Sequence, residues 1–149
     1  MTDSTERIVG YLSGTFDLFH IGHLNLIMRA KEECAFIRVA VLSDDLVWEY
    51  KKKHPVIGQE ERMRIVEAIR YVDEVVLIDD NPSRIMEWHR RPFDCFFSGD
   101  DYTANDYWNW EREELKKLGA DLCFFPYTKE QSSTMIRKKL ESKTQGEEE

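Results

Sequence analysis

The sequence predicts an α/β fold: an open, doubly wound, parallel five-stranded sheet with helices on both faces. Three observations predict it. Five apolar runs of strand length recur along the chain, stretches of helical period separate them, and runs such as FIRVAVL are apolar on nearly every residue. A strand that is apolar on both sides belongs in a sheet covered on both faces, which is where parallel strands are found.

The elements follow in order. The predicted strands are Ile8–Ser13, Phe36–Leu42, Glu74–Ile78, Asp94–Ser98 and Asp121–Phe125. His23–Glu33 places Leu24, Ile27 and Met28 on one helical face. Gln59–Tyr71 gathers Ile65, Val66 and Ile69, and Trp108–Leu118 is a charged helix with a narrow apolar stripe. Ser133–Glu141 forms the expected last helix, and SKTQGEEE reads as a frayed, solvated tail. No repeat, low-complexity segment or linker divides the chain, so it reads as one compact domain.

Composition narrows the partners. The 149 residues are 42% hydrophobic and 12% aromatic, enough for a core. Lys and Arg number 21 against 29 Asp and Glu, a formal charge of −8. Such a surface is a poor host for nucleic acid or anionic lipid, so small-molecule partners are expected, with no nucleic acid and no membrane. Bulk charge does not limit local charge. Cys34, Cys95 and Cys123 are odd in number and each lies in an apolar stretch, as buried reduced thiols do. The start, MTDSTERIV, is polar and unlike a signal peptide, and no apolar run approaches the roughly 20 residues of a membrane helix. The cytoplasm is the expected compartment.

In sheets of this kind, ligands bind at the carboxyl ends of the strands, where helix N-termini point inward. The first such junction reads Gly14-Thr15-Phe16-Asp17-Leu18-Phe19-His20-Ile21-Gly22-His23. His20 and His23, three apart at a helix start, can present both imidazoles to one side. Gly22 lets a ligand approach the backbone, whose N–H groups suit an anion, and Gly14 and Thr15 give a tight strand exit and a hydroxyl. Positioned donors of this type stabilise charge on phosphoryl oxygens.

The segment GTFDLFHIGH resembles the HxGH signature of the nucleotidylyltransferase superfamily, and more closely its cytidylyltransferase branch. The resemblance runs from about Ile8 to Leu140. It includes QEERMRIVEAIRYVDEVV, with Arg70–Val75 matching the branch's RYVDEV, and Gly99-Asp100-Asp101-Tyr102, which is similar to its GDDW turn. Thr128 and Ser132-Ser133-Thr134 resemble parts of its RTEGISTT segment. The resemblance implies a Rossmann-like fold of the HxGH type, with residues 1–141 as the catalytic domain and 142–149 as a disordered acidic tail. It implies transfer of CMP from CTP to a small phosphorylated alcohol such as a polyol phosphate, an amine phosphate or a phosphonate, with Mg²⁺ carried by the triphosphate. It further implies a homodimer packed through the RYVDEV segment.

Roles follow from the same resemblance. His20, His23, Lys53 and Arg62 are the implied catalytic residues. Gly14, Thr15, Phe16, Gly22, Lys51, Arg70, Gly99, Asp101, Thr128, Lys129, Ser132, Ser133 and Thr134 are implied for the nucleotide, and Asp17, Lys51 and Arg62 for the acceptor. Read without the resemblance, the run Lys51-Lys52-Lys53-His54 is also a solvated loop, Asp17 a turn residue, and Ser132–Thr134 a helix cap. Arg62 and Arg70, two turns apart on the predicted helix, could equally pair with Glu60, Glu61 or Glu67.

The chain departs from the pattern twice. Tyr127 stands where the family has an arginine and Glu130 where it has a glycine, with Lys129 a candidate replacement cation. Asp79-Asp80-Asn81-Pro82 occupies the stretch where a tryptophan lies near the acceptor, the nearest being Trp88. Tyr107, Trp108 and Trp110 form a dense aromatic set suited to helix packing or to an acceptor wall. An ATP-dependent adenylyltransferase and an inactive nucleotide-binding relic are the alternatives.

Overall fold

The structure, a computed structural model, describes residues 8–99, 105–125 and 136–142. Its elements are β1 (Val9–Gly14), α1 (Ile21–Glu33), β2 (Phe36–Leu42), α2 (Asp44–Lys51), α3 (Gln59–Glu67), β3 (Glu74–Ile78), α4 (Arg84–Arg90), β4 (Cys95–Gly99), α5 (Asp106–Lys117) and β5 (Asp121–Phe125). A helical segment, 136–142, follows. The five strands form one parallel sheet in the order β3-β2-β1-β4-β5. The chain winds outward from β1 to β3, then returns to β4 and β5. The crevice of such a sheet opens where the order reverses, between β1 and β4.

Period-two alternation divides the sheet's side chains between two cores. Leu12, Ile37, Val39 and Val41 face Ile27 and Ala30 of α1 and Val66 of α3. Tyr11, Ala40 and Phe96 face the other way, toward Leu46 of α2 and Leu115 of α5. Helices therefore cover both faces, as the all-apolar strands predict. The packing under α1 is close: a Cβ added at Gly10 would lie 2.8 Å from Cys34 Sγ and 2.9 Å from both Ile37 and Phe97. Cys34 is buried and reduced, and burial pushes its thiol up to about 12, so it is no nucleophile. Cys95 and Cys123 are also free thiols, half-buried. No helix among the described residues is long and apolar enough to cross a membrane.

The sequence misses α2 and α4, both short helices started by a serine cap, Ser43 accepting from the Leu46 N–H and Ser83 from the Met86 N–H. The helix expected over Gln59–Tyr71 ends instead at Glu67. Beyond it, Ile69, Tyr71 and Val72 turn into the first core, and the Asp73 carboxylate accepts from the Ile37 N–H at 2.8 Å, anchoring the entry to β3. Arg70 thus lies in a turn, exposed, with its guanidinium 5.0 Å from the Tyr71 ring centre. All strands begin at one edge of a parallel sheet, and Arg70 just precedes β3. It therefore sits at the opposite edge from His20 and His23.

The contact at Gly10 yields a prediction. Gly10→Ala should destabilise the fold by about 1–3 kcal/mol through overpacking. The measurement is the urea midpoint; an unchanged midpoint would mean that α1 yields to the extra methyl.

Candidate active site

The turn joining β1 to α1 is bent by two non-glycine residues in the left-handed region, Phe16 at φ 54° and Leu18 at φ 51°. Each costs about 1–2 kcal/mol, so neighbouring contacts must hold them. Phe16 does so by burying its ring in the first core beside Phe19 and His23. Asp17, between the two, is 3% exposed. Its Oδ1 accepts from the N–H groups of Leu18 (3.1 Å) and Ile57 (2.9 Å), and its Oδ2 from Val56 N–H (2.8 Å) and Arg137 Nη2 (2.5 Å). These bonds clasp three segments together: the β1–α1 turn, the loop before α3, and helix 136–142.

The two histidines cap α1 reciprocally. His20 is the N-cap residue, and its Nδ1 accepts from the Gly22 N–H at 3.0 Å. His23 Nδ1 accepts from the His20 N–H at 3.2 Å, and the rings stack with centres 3.9 Å apart. The helix N-terminus is therefore capped by imidazole rather than left bare for an anion as the sequence suggests. A neutral imidazole that accepts at Nδ1 carries its proton on Nε2. Both rings thus become fixed Nε2–H donors, polarised from behind by backbone N–H groups. Burial lowers the pKa of His20. For His23, burial first, then the charges of His20 and Lys51, act against Asp17 and bring the value down to about 4.

A cleft of about 220 Å³ opens at the carboxyl end of β1, with Thr15, His23, Lys51, Lys53, His54 and Arg137 among its lining. The Lys51 ammonium donates to Thr15 Oγ1 at 3.1 Å. Its pKa is lowered, by burial first and then by the positive charge of Arg137, Asp17 opposing. Lys52, at φ 54°, ends α2 as a left-handed cap whose N–H donates to Trp48 O. This turn carries Lys51 and Lys53 to the same cleft, while Lys52 is not among its lining residues. Crowded cations beside neutral donors make a binding place for a polyanion.

Arg62 is not among the residues that line the cleft. It is fully buried behind the cleft. Its Nε donates to Ile57 O (2.8 Å), Nη1 to Thr15 O (2.5 Å) and Leu42 O (2.9 Å), and Nη2 to Asp44 Oδ1 (2.7 Å). Carbonyls at the ends of β1 and β2 have left the sheet ladder, and this guanidinium satisfies them. Arg70, at the far sheet edge, does not join the cleft within one chain. Gly22 lies in the first turn of α1, and Gly99 ends β4 opposite Phe125 at the sheet's carboxyl edge. Asp101, Thr128, Lys129, Ser132, Ser133 and Thr134 lie outside the described residues, as do Tyr127 and Glu130. Trp108 packs in the second core against Phe96 and Phe124, while Tyr107 and Trp110 are exposed. Trp88 donates through Nε1 to Phe93 O and belongs to the same core.

Arg137 is the site residue that the sequence analysis missed. A signal existed: it falls early in the helix expected over Ser133–Glu141, where a cation opposes the helix dipole and calls for an anion nearby.

The doubly wound sheet, the HxGH helix cap and the cationic cleft define a nucleotide-handling α/β protein. Residues 11–139 match the family model described as Cytidylyltransferase-like, and the chain belongs to that family. It is 31% identical to glycerol-3-phosphate cytidylyltransferase of Bacillus subtilis over 136 residues, covering 91% of this chain and 97% of that protein. It is 33% identical to an FAD synthase of Korarchaeum cryptofilum, covering 94% of this chain and 95% of that one. The 35% identity with the bifunctional protein HldE of Koribacter versatilis covers 90% of this chain but spans only 27% of HldE. Among solved structures, a lipopolysaccharide core biosynthesis protein from Thermoplasma volcanium superposes with a TM-score of 0.67 at 19% identity, covering 83% of this chain and 98% of that one, a likeness of fold.

Two predictions come from this geometry. Between pH 6.5 and about 4, unfolded His23 binds a proton that folded His23 refuses. Stability should therefore rise with pH across that window, and His23→Asn should flatten the rise; parallel profiles in urea unfolding would contradict the buried neutral ring. Separately, Arg62→Met should cost about 3–5 kcal/mol by stranding buried carbonyls and Asp44. A full-stability Arg62→Met protein that lost only substrate affinity would return Arg62 to the role of a ligand.

Proposed function

We propose that the protein transfers CMP from CTP to a small phosphorylated alcohol and releases pyrophosphate. The observation that carries the reading is the convergence of His23, with His20 stacked on it, with Lys51 and Lys53 at the carboxyl end of the central strand. An oxygen of the acceptor's phosphate attacks the α-phosphorus. A new P–O bond forms, the bond to the bridging oxygen breaks, and pyrophosphate leaves with its electron pair. The Nε2–H groups of His20 and His23 donate to the α-phosphate oxygens as charge grows there, and Lys51 and Lys53 bind the flanking phosphates. Arg62 and Asp17 act behind them by holding the turn and the loop in register.

The cleft's lysines and arginine would repel a free cation, so the triphosphate's own oxygens would hold Mg²⁺, which would offset part of their charge. The nucleoside lies on the side of Gly99, at the carboxyl end of β4, and the acceptor lies toward the end of α2. Glycerol 3-phosphate, another polyol phosphate, an amine phosphate or a small phosphonate is the acceptor. The glycerol-3-phosphate cytidylyltransferase relative supports the first of these. A two-fold homodimer through the Arg70–Val75 segment belongs to the same reading and gives Arg70 its place at the interface.

A second reading, with ATP as donor, is favoured by the FAD synthase relative, because FAD contains an adenylyl group. Pyrophosphate release decides between them, measured with CTP and with ATP against glycerol 3-phosphate, ribitol 5-phosphate, phosphoethanolamine and a small phosphonate. The expected outcome is turnover with CTP and a polyol phosphate, lowered about a hundredfold or more by His20→Ala or His23→Ala. Turnover with ATP alone would replace the cytidylyl assignment by the adenylyl one. Histidine variants that keep full rate would remove the site assignment.

A further inference from the structure

Arg84, the first residue of α4, has no part in the transfer reading. Its Nε donates to Glu111 Oε2 of α5 at 2.5 Å, and its guanidinium lies 3.8 Å from the centre of the Trp108 ring. The Glu111 side chain is fully buried, and that of Arg84 is 12% exposed. Arginine and carboxylate commonly pair at two points, but this pair is one-ended. Among the described residues, the buried side-chain polar atoms without a hydrogen bond are Arg38 Nε and Glu111 Oε1. The two Nη atoms of Arg84, which bond to no described residue, therefore reach solvent. A guanidinium held at Nε and laid on an indole keeps its Nη1–Nη2 edge for a second anion, and little side-chain freedom is left to lose on binding.

The group stands where the sheet order reverses. One turn along α4, Glu87 accepts from the Tyr11 hydroxyl of β1, so the helix lies against β1, and it starts from the carboxyl side of β3. Trp108 packs on Phe96 of β4 and Phe124 of β5. The Arg84–Trp108 stack thus bridges β1 and β4 near the carboxyl edge, the place of the ligand crevice in such sheets. Asp80, in the loop before α4, is taken by Arg90, which also bonds to the carbonyls of Asp80 and Asn81. Tyr107 lies beside Arg84, its ring centre 5.9 Å from the guanidinium. Burial first and then the charge of Glu111 raise the pKa of the Tyr107 hydroxyl, and Tyr50 in the last turn of α2 adds to the rise. Arg84 and Tyr107 therefore stand on the side of the end of α2, which the transfer reading gives to the acceptor. Arg84 is not among the residues that line the cleft of His23, Lys51 and Lys53. An anion held by it is a different group from the reacting phosphate.

We propose that Arg84 recognises a second acidic group, a carboxylate or a phosphate, on the acceptor, with Glu111 as its positioning residue. The acceptor class is then a phosphorylated hydroxy acid or an alcohol bisphosphate. The proposal rests on the nucleotidyl-transfer reading and narrows its acceptor. The second acidic group makes and breaks no bond; it fixes the end of the acceptor remote from the attacking oxygen.

The test is pyrophosphate release by the whole chain, with CTP and with ATP, against matched acceptors of increasing length. The series runs from glycerol 3-phosphate and 3-phosphoglycerate to sorbitol 6-phosphate and 6-phosphogluconate, each pair joined by the corresponding bisphosphate. The readout is the ratio of kcat/KM for the acidic acceptor to that for its alditol phosphate. At the length that reaches Arg84 the ratio should be about ten or more, and the carboxylate and phosphate arms show which acid is taken. Arg84→Met should bring the ratio to about one. Arg84→Lys keeps a charge beside Glu111 without the fork and should keep only part of the preference. Glu111→Gln should lower the ratio through KM of the acidic acceptor, whereas a role confined to joining α4 and α5 would slow both acceptors alike and leave the ratio. Alditol phosphates equal to or better than their acidic partners at every length overturn the proposal, as does a ratio that survives in Arg84→Met. Should Arg84→Met unfold, the full ratio in Arg84→Lys overturns it instead. An unaltered protein that releases pyrophosphate with no acceptor from either nucleotide overturns the parent reading, and this one with it.

Discussion

The carboxyl edge of the sheet depends on one buried guanidinium. Arg62 ties the carbonyl that follows β1, the last carbonyl of β2, the loop carbonyl of Ile57 and the first carboxylate of α2 into one node. The three carbonyls lie at the ends of strands or in a loop, where the sheet ladder stops. Satisfying them with a single planar side chain fixes their relative positions within hydrogen-bond tolerance. The starts of α2 and α3 are stapled beside the node, because Asp44 N–H donates to Gln59 Oε1 at 2.8 Å and Asp44 Oδ2 accepts from Gln59 N–H at 3.3 Å. Asp17 completes the grip from the opposite side. The peptide at Ile57 gives its N–H to Asp17 and its carbonyl to Arg62, so the loop that follows Lys53 is held at both polar ends.

That framework explains how a protein of charge −8 carries a cationic cleft. Exposed carboxylates are screened beyond about 8 Å at physiological ionic strength, while the lining cations are gathered at one cleft and burial desolvates Lys51 among them. Burial lowers the pKa of Lys51 most, and repulsion from Arg137 and Lys53 lowers it further. That repulsion is tolerated because the backbone, not the side chains, decides where they sit: a left-handed cap at Lys52 sends Lys51 and Lys53 the same way, and Asp17 pins Arg137. A flexible tail would relax the repulsion by moving apart. The acidic bulk of the chain and the basic cleft are therefore compatible properties at different length scales.

The same distinction separates what the sequence discloses from what it conceals. β2, β3 and β5 are legible to the residue because unbroken apolar runs have few other uses, and the His20–His23 pair is legible because its spacing is local. Short helices such as α2 and α4 carry too few apolar positions for a period to emerge, although their serine caps and the acidic first turn of α2 were readable. Arg62 and Arg70 mislead together. Helical spacing from Gln59 puts them on one side of one helix, yet the helix stops at Glu67 once Tyr71 and Val72 are drawn into the core. Arg62 bonds to oxygens that are 5 to 47 positions away in sequence, and Arg137 to one 120 away, distances at which residue spacing carries no information.

The protonation state of the histidines bears on the kind of chemistry the cleft can host. Adding a proton to His23 means placing it on Nδ1, the atom that accepts from the His20 N–H, so protonation undoes the helix cap as well as burying a charge. A site built this way is a poor general acid or base. Nucleotidyl transfer asks for neither. The attacking phosphate oxygen is already an anion at neutral pH, and the leaving pyrophosphate departs as one, so no proton has to move at the reacting centre. What the transition state needs is a set of fixed donors that meet the growing charge on the α-phosphate without adding to the repulsion among the cations around it. On the proposed reading, two imidazoles held in the Nε2–H tautomer would meet that need, and lysines in their places would add charge to a cleft already lined by Lys51, Lys53 and Arg137.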